Sequence, residues 1–287
     1  MEDFEKLALE RQKIIIEHFK KEWFENLNSN LKFIKEFGGI IDFRRKYERK
    51  KPAIVIGAGP SLEKNYFLLE KVDREKTIII ATDKANSMTN YIADFVISVD
   101  SQKEVANFFE ASRTSHQILI ALVFVNPLVI NKWQGMIKFF NPSNSDFLKL
   151  SKEERIFDNL EKQTGKIGRM KQVGFVGLQA IEFAKYISCY PIILIGMDFG
   201  WTDNKTYAFS EKYSDEELSK MPFSHPCFYS KYPSGEIVQG YTSIILYEGS
   251  ILAKLYYAKD EEVINCTEGG TLPTDMTFQE AIEKWLM

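Results

Sequence analysis

Histidine and cysteine are both scarce in this chain of 287 residues, which contains three of each. The cysteines, Cys189, Cys227 and Cys266, lie far apart, and the sequence has no C-x-x-C pair and no Cys/His cluster. This spacing indicates neither a zinc site nor a disulfide framework. The sequence also lacks a signal-peptide pattern and any apolar run of about 18 residues. Together these absences predict a cytoplasmic protein in a reducing setting.

A basic excess is missing as well, because the formal net charge is −3. Proteins that bind nucleic acids need basic residues to neutralise the phosphates, so we expect no nucleic-acid partner. One local cluster of arginines and lysines occurs between residues 44 and 51. It is consistent with an anionic partner or a membrane surface, but a solvated linker that also contains Glu48 is the simpler interpretation.

The two best-known phosphate-binding motifs are absent from the stretch "KPAIVIGAGPSLEKN" (51–65). Leu62 occupies the position where the G-x-G-x-x-G fingerprint requires glycine, and no G-x-x-x-x-G-K-[ST] loop follows. What remains is a short glycine turn after an apolar run. Its backbone N–H groups would face an anion, and Ser61 is predicted to cap the helix that begins at residue 62. Glycines at this point can also serve the turn alone.

Apolar, β-branched runs alternate along the chain with helical stretches such as 62–72 and 176–187. The runs span residues 53–59, 77–83, 93–100, 117–125, 191–199 and 262–266. Strands that alternate with helices predict right-handed βαβ units and a mostly parallel sheet. We therefore expect a Rossmann-like α/β fold in which helices flank a mostly parallel sheet.

Three segments lie outside this alternation. Residues 1–50 show helical periodicity and are assigned to an N-terminal helical extension, which precedes one Rossmann-like domain at 51–287. Thr277 and Glu280 have the spacing of a capping box, which predicts a short closing helix. Residues 200–240 are rich in proline, tyrosine and serine without any period, and we predict an irregular lid or binding loop there.

Polar residues follow most of the predicted strands. Because ligands of open parallel sheets bind outside the carboxyl ends of the strands, we expect these residues to bind a polar ligand. They are Gly57, Gly59, Pro60, Ser61, Asp83, Asp100, Asp198, Thr267 and Glu268. The glycines would permit close approach of the backbone. The three aspartates could hold Mg²⁺ around a diphosphate or triphosphate, or could bind the hydroxyl groups of a sugar.

His225 is the histidine that we select as a candidate general base. It lies in the segment predicted to form the lid, and an imidazole titrates near neutral pH. His18 lies in the predicted N-terminal helix and His116 precedes a strand, so both are most simply structural.

Five short segments of this chain resemble, in the same order, those of the MptE-like 6-hydroxymethylpterin diphosphokinase family. They are "PAIVIGAGPSLEKN", "ATDKA", "DFVISVD", "PIILIGMDFGWTDNKTYAF" and "INCTEGG". That family also contains the bacterial motility accessory factors, regarded as glycosyltransferases that modify flagellin. The resemblance covers roughly residues 50 to 272, so that the N-terminal 50 residues lie outside it.

The same core is similar to bacterial sialyltransferases that use CMP-sialic acid. In those enzymes a G-x-G-P-S loop contacts the nucleotide, and residues 57–61 match it here. A tyrosine in a Y-A-F motif supports the departing phosphate and matches Tyr207, while His225 is the candidate for their loop histidine. Their first phosphate-binding tyrosine falls on Trp201 in this chain, which has no hydroxyl group.

The resemblance implies a glycosyltransferase that moves a sialic-acid-like sugar from a CMP-sugar to a hydroxyl of a glycan or of a protein such as flagellin. It would use His225, Tyr207 and Asp198 as catalytic residues and would not require a metal. The alternative is an ATP-dependent diphosphokinase acting on a hydroxymethyl-pterin, with Mg²⁺ on Asp83, Asp100 and Asp198. A non-catalytic protein that binds nucleotides or sugars is a third possibility. We favour the glycosyltransferase because it alone needs the loop histidine, and an oligomer contact through the first 40 residues stays open.

Overall fold

An eight-stranded parallel sheet forms the centre of the protein in the computed structural model, which describes residues 2–109, 116–143, 157–221, 224–231, 237–257 and 260–287. The side chains of residues 2–13, 224–231, 237–240 and 244 lie outside this description. The strands of the sheet are β1 (Ala53–Ile56), β2 (Ile78–Thr82), β3 (Phe95–Ser98), β4 (Ile118–Leu122), β5 (Met136–Ser143), β6 (Arg169–Lys171), β7 (Ile192–Ile195) and β11 (Val263–Asn265). A second, antiparallel sheet contains β8 (Trp201–Thr202), β9 (Ser224–Lys231) and β10 (Ile237–Ser243).

Helices lie between most of these strands. The α-helices are α1 (Glu2–Phe37), α2 (Leu62–Asn65), α3 (Asp83–Met88), α4 (Pro127–Lys132), α5 (Glu161–Thr164), α6 (Val176–Tyr186), α7 (Asp215–Lys220), α8 (Ile244–Tyr257) and α9 (Phe278–Ala281). Segments of 3₁₀-helix span Ile40–Phe43, Tyr66–Lys71 and Lys103–Phe109, and a π-helical turn spans Ile282–Leu286. Within the ranges described, no helix combines the length and the apolar character needed to cross a membrane.

The β-branched runs form the buried centre of the parallel sheet. All four residues of β1 and all five of β2 are buried, as expected for strands that are covered on both faces. Helix α6 packs across β1, β2 and β3. There Phe183 meets Phe95 edge to face, with ring centroids 5.1 Å apart, a favoured geometry for aromatic pairs.

The predicted fold class and all six predicted strands are confirmed. The closing helix is confirmed too, because Thr277 and Glu280 form a reciprocal capping box at the start of α9. Two further strands, β5 and β6, were not predicted. β5 reads "MIKFFNPS", in which Lys138 and Pro142 break the apolar run, and β6 has only three residues. Both strands lie at one side of the sheet, where a proline or a charged residue in a strand lowers stability less than it does at the centre.

The segment 200–240 departs from the prediction of an irregular loop. In the part of it that the structure describes, β9 and β10 form an antiparallel hairpin, and Ser214 and Glu217 form the capping box of α7. Strands of this kind gain their stability from the partner strand across the hairpin rather than from an apolar run of their own. Local periodicity therefore does not reveal them.

The order of the strands in the parallel sheet is β11-β7-β1-β2-β3-β4-β5-β6. The chain leaves β1 towards β2, continues to the far edge of the sheet, and then returns to place β7 on the other side of β1. The sheet therefore reverses its direction of winding between β1 and β7. In folds of this type a crevice opens at such a reversal, outside the carboxyl ends of the two strands.

The N-terminal helix α1 docks onto the loops at the carboxyl ends of β3 and β4. The buried amide of Asn30 donates hydrogen bonds to the carbonyl oxygens of Val123, at 3.1 Å, and Val125, at 2.9 Å. Asn26 donates to the carbonyl oxygen of Ser101 at 2.9 Å. The predicted helical extension is thus fastened to the sheet by side-chain amides that satisfy buried backbone groups.

Candidate active site

A cavity of about 850 Å³ lies at the carboxyl ends of the parallel strands. The loops that follow β1, β2, β3 and β7 form its floor, and residues of α1, of the segment 172–177 and of the start of α8 form its walls. Its volume is within the range of small-molecule binding sites, which is about 300 to 1,000 Å³. The cavity therefore coincides with the crevice between β1 and β7 at which the fold predicts a ligand.

The glycine loop after β1 presses directly against the loop after β7. The backbone N–H of Gly59 donates a hydrogen bond to the carbonyl oxygen of Gly196 at 2.9 Å. A Cβ on Gly57 would lie 2.4 Å from that same oxygen, and Gly196 has a φ of +65°, which favours glycine. These glycines therefore permit contact between the two loops, and the backbone of residues 57–59 is left facing the cavity.

Asp198 holds the two loops together from behind. Its Oδ1 accepts a hydrogen bond from the Ser61 hydroxyl at 2.6 Å, and its Oδ2 accepts from the Ser61 N–H at 3.1 Å and from the Thr202 hydroxyl at 2.8 Å. The side chain is only 2% exposed. Burial raises the pKa of Asp198 to about 6, although the hydrogen bonds from Ser61 and Thr202 act in the opposite direction. Asp198 thus borders the cavity chiefly as a support for the glycine loop.

The predicted helix cap by Ser61 is wrong. The Ser61 side chain makes no capping hydrogen bond to α2, because its hydroxyl is bound to Asp198. Helix α2 is only a single turn of four residues. Pro60 and Ser61 are both buried, and the cavity is lined instead by the three residues before them.

The structure does not bring Thr267 and Glu268 to the cavity, although the sequence suggested both as ligand-binding residues. The hydroxyl of Thr267 accepts a hydrogen bond from the N–H of Met197 at 3.3 Å. A carboxylate oxygen of Glu268 accepts from the N–H of Phe278 at 2.8 Å. Both side chains therefore connect the loop after β11 to its neighbours.

Asp83 and Asp100 both line the cavity. Asp83 is buried, and its Oδ1 accepts a hydrogen bond from the N–H of Lys84 at 2.8 Å. Burial raises the pKa of Asp83 to about 7, and the charge of nearby Asp100 adds to the effect. Partial burial also raises the pKa of Asp100, and the charges of Glu22 and Glu104 contribute. The two carboxyl groups at the ends of β2 and β3 therefore face a common space.

The three aspartates do not form the shared metal site that the sequence suggested. Both oxygens of Asp198 are occupied by Ser61 and Thr202. Across the described ranges, no group of three histidine, cysteine, aspartate or glutamate side chains could hold a metal ion. Asp83 and Asp100 remain as two carboxylates. Two carboxylates are enough to bind Mg²⁺ only when the phosphates of a substrate provide further ligands.

Tyr207 lines the cavity next to the glycine loop. The N–H of Ala208 donates to the carbonyl oxygen of Ala58 at 3.0 Å, which fixes this loop on the glycine loop. Burial raises the pKa of Tyr207, and the charge of Asp83 adds to this. Trp201, in β8, lines the cavity as well.

Lys84 is a cavity residue that sequence reasoning missed. Its Nζ lies 3.2 Å from the centroid of the Tyr207 ring, and the side chain lines the cavity beside Asp83. The signal that could have identified it is its position directly after Asp83, in the second place after a buried strand. Burial lowers the pKa of Lys84, while the charge of Asp83 opposes the shift.

Glu63 fastens the loop that carries Tyr207. Both of its carboxylate oxygens accept hydrogen bonds from the Nζ of Lys205 at 2.7 Å, and one of them also accepts from the N–H of Phe209. Phe209 has a φ of +58°, an uncommon conformation for a residue with a side chain. No local pattern links residues 63 and 205, so the sequence alone gives no sign of this contact.

His225 lies in β9, opposite Thr242 of β10. The residue after Thr242, Ser243, lines the cavity, so the backbone of His225 is near one wall. The side chain of His225 lies outside the described part of the structure. Its proposed role as a general base stays a prediction.

Apolar side chains of α1 form part of the wall of the cavity. Ile15, Phe19 and Trp23 recur at every fourth position and line it together. The Trp23 ring stacks on Phe124, with centroids 5.7 Å apart and an angle of 10° between the planes. The cavity therefore has a polar end at the strand termini and an apolar end beneath α1. The helical periodicity of α1 predicts that it has an apolar face, but it does not predict that this face covers a cavity.

Comparison with known proteins identifies one family. The model of the family described as "6-hydroxymethylpterin diphosphokinase MptE-like" matches residues 23–204, which is more than half of the chain. The match begins inside α1, ahead of the region to which the sequence motifs point. No curated protein matches the sequence.

Solved structures resemble this fold, and one of them aligns with most of the chain. It is described as the structure of MAf glycosyltransferase from Magnetospirillum magneticum AMB-1. The alignment has a TM-score of 0.54 and 15% sequence identity, and it covers 79% of this chain and 33% of that chain. This chain therefore spans about a third of the length of that protein. At this level of identity the likeness shows a shared fold.

Proposed function

This chain belongs to the MptE-like 6-hydroxymethylpterin diphosphokinase family, and from that premise we propose that it is a nucleotide-dependent transferase. The activity that we favour is glycosyl transfer, in which a sialic-acid-like sugar moves from a CMP-sugar to a hydroxyl acceptor. The observation that carries the proposal is the contact between the Tyr207 loop and the glycine loop. It brings a tyrosine and the glycine loop to one cavity.

In the proposed complex, the nucleotide lies on the backbone of residues 57–59, near Asp83 and Asp100. These residues face the polar end of the cavity. The N–H groups of Gly57 and Gly59 bind the carbonyl oxygens of Ile195 and Gly196, so within this stretch the N–H of Ala58 is the one that would bind a phosphate oxygen. Carboxylates at this position can accept hydrogen bonds from ribose hydroxyls. The sugar and the acceptor would then extend into the remainder of the cavity.

Transfer breaks the bond between the anomeric carbon of the sugar and a phosphate oxygen, and negative charge develops on the departing CMP. The hydroxyl of Tyr207 would donate a hydrogen bond to that oxygen. A tyrosine hydroxyl ordinarily keeps its proton at neutral pH, and burial raises the pKa of Tyr207 further. His225 would take the proton of the acceptor hydroxyl as general base. Asp198 contributes by holding the glycine loop, so we assign it a positioning role.

A diphosphokinase is the second candidate, and the shared cavity position of Asp83 and Asp100 favours it. When bound to ATP phosphates, Mg²⁺ would neutralise charge on the transferred pyrophosphate. The two aspartates are the residues that would hold it, and Asp198 would not take part. A non-catalytic nucleotide- or sugar-binding protein is the third candidate, and Trp201 in the cavity is consistent with it.

Isothermal titration calorimetry with CMP, CTP, ADP and ATP, each with Mg²⁺ and with EDTA, tests the proposal. Tight binding of CMP that does not depend on metal supports glycosyl transfer. Binding of ATP that is lost in EDTA moves the diphosphokinase to first place, and no binding of any nucleotide overturns both enzymatic functions. His225→Ala should then abolish transfer and leave nucleotide binding intact. His116→Ala, in which the lost contact is with the carbonyl of Tyr91, is the matched control.

A further inference from the structure

We propose that Lys84 binds the phosphate group of the nucleotide and stabilises it as it departs, acting as a catalytic residue together with Tyr207. This inference rests on the proposed function, because it assumes that a phosphorylated ligand occupies the cavity. It adds a residue that neither the sequence motifs nor the comparisons assign to the site. The argument follows from where the ammonium group lies and from what surrounds it.

The position of Lys84 on the backbone is fixed by the sheet. Residue 84 is the second residue after β2, which pairs directly with β1. Gly57, Ala58 and Gly59, the residues that follow β1, line the same cavity as Lys84. The lysine stem therefore starts at the strand next to the glycine loop. This arrangement places one cation at the polar end of the cavity.

The Nζ of Lys84 lies against aromatic rings instead of a carboxylate. It is 3.2 Å from the centroid of the Tyr207 ring and 5.1 Å from that of Phe108. Among the residues that the structure describes, the ion pairs within 4.0 Å do not include Lys84, although the charge of Asp83 acts on it. Asp83 is adjacent in the chain, but the bond that it makes to Lys84 is to the backbone N–H.

A partly buried cation that is not in contact with a carboxylate loses hydration, and the charge of nearby Asp83 replaces this only in part. Contact with an aromatic ring offsets part of this loss, whereas a hydrogen bond between charged groups is shorter and stronger. Burial lowers the pKa of Lys84, which agrees with incomplete compensation of its charge. An anionic ligand in the cavity would supply the missing partner.

In the transfer step, the C–O bond between sugar and phosphate breaks, and its electron pair stays on the phosphate oxygen. The anomeric carbon forms a new C–O bond to the acceptor, whose proton goes to the general base. CMP leaves with one more negative charge than it carries in the CMP-sugar. The Lys84 ammonium keeps its proton and donates a hydrogen bond to a phosphate oxygen, where the growing charge strengthens the interaction.

Binding measurements that compare a phosphorylated ligand with its nucleoside test this inference. We would titrate CMP, cytidine and inorganic pyrophosphate into the wild-type protein and into Lys84→Met, which keeps the apolar stem but lacks the charge. We expect Lys84→Met to bind CMP and pyrophosphate about ten- to a hundredfold more weakly and cytidine equally well. Lys84→Arg retains the charge and should recover part of the affinity. Lys21→Met removes the same charge at a side chain that is 89% exposed and is the matched control.

Several outcomes separate this inference from the proposed function. Wild-type binding of CMP that is unchanged in Lys84→Met would overturn the role of Lys84 and leave the proposed function intact. If ATP is the nucleotide bound, the same comparison is made between ATP and adenosine. If no nucleotide binds, the proposed function fails. The pyrophosphate titration then decides the inference by itself, because wild-type protein that does not bind pyrophosphate has no anion site at Lys84. If Lys84→Met does not fold, as judged by circular dichroism, Lys84→Gln replaces it.

Discussion

Gly59 lies so close to Asp198 that a Cβ added to the glycine would stand 2.1 Å from the carboxylate oxygen Oδ1. The same oxygen accepts the hydrogen bond from Ser61. Glycine is therefore needed at position 59 for steric reasons, because any side chain would displace the carboxylate that supports the loop. The requirement couples the shape of the glycine loop to the loop after β7.

The first prediction concerns Gly59→Ala. The added methyl group should force Asp198 away from Ser61, lower the free energy of unfolding by about 1–3 kcal/mol and weaken nucleotide binding. Chemical unfolding and calorimetry measure the two effects. Gly165→Ala is the control, since nothing lies within 4 Å of its Cβ and only the φ of +77° opposes the change. Because that backbone conformation is itself strained by a Cβ, the control should lose stability but keep its nucleotide affinity. Unchanged nucleotide affinity in Gly59→Ala would contradict the prediction.

The second prediction concerns the ion pair between Glu63 and Lys205. Because both side chains are more than two-thirds buried, we expect a coupling energy of about 1–2 kcal/mol in a double-mutant cycle of Glu63→Gln and Lys205→Met. Both single variants should also slow transfer more than they weaken binding of the nucleoside, since the pair positions Tyr207. Additive unfolding energies, or transfer rates equal to wild type, would show that the loop does not depend on this pair.

The third prediction concerns Asp83→Asn and pH. The pKa of Asp83 is about 7 in the folded protein, compared with 3.8 for an ordinary aspartate. Between these values the unfolded chain releases the proton and the folded protein keeps it, so wild-type stability should fall as pH rises from about 4 to about 7. Asparagine does not titrate. The difference in the free energy of unfolding, Asp83→Asn minus wild type, should therefore increase by a few kcal/mol as the pH rises across this window.

A control of opposite sign is available at Asp73. Hydrogen bonding to Lys76 and to backbone N–H groups lowers the pKa of Asp73, so its contribution to stability is lost only as pH falls below the ordinary value of 3.8. The difference between wild type and Asp73→Asn should stay constant from pH 5 to pH 8. Urea unfolding at several pH values measures both variants. If the difference in unfolding free energy between wild type and Asp83→Asn is also constant over this pH range, Asp83 does not keep its proton in the folded protein.

The fourth prediction concerns Asn30→Ala in α1. This change leaves the buried carbonyl oxygens of Val123 and Val125 without their side-chain donor. We expect the free energy of unfolding to fall by about 2–3 kcal/mol, measured by chemical unfolding. Ser29→Ala, which removes an exposed hydroxyl bonded within the helix, should change stability by less than about 0.5 kcal/mol. Similar values for the two variants would show that α1 does not depend on its amide contacts.

The sequence predicted the parts of the fold that depend on local periodicity. Buried β-branched runs such as 53–56 and 78–82 are recognisable in the sequence, because strands that are covered on both faces consist of continuous apolar residues. The hairpin of β9 and β10 was not predicted, because its stability comes from cross-strand pairing between two segments whose sequences have no regular apolar pattern.

The candidate site was predictable only where its residues directly follow strands. Asp83 and Asp100 line the cavity, as the rule for parallel sheets implies. Ser61 and Asp198 also follow strands, but they bind each other, and whether a polar side chain faces a ligand or another loop is decided by three-dimensional packing. Glu63 acts through a residue 142 positions away, a separation that no sequence pattern encodes.

The docking of α1 has a consequence for the order of events during synthesis. Asn30 binds carbonyl groups up to 95 residues further along the chain, and a ribosome that adds 5–20 residues per second needs about 5–20 s to produce them. During that interval the loop after β4, onto which α1 docks, is incomplete, so the apolar face of α1, which includes Leu27 and Ile34, lacks part of its cover. A nascent chain at this stage would be a client for chaperones. Helix α1 is synthesised before the sheet, and its amide contacts over the cavity can form only after the loop that follows β4 has been made.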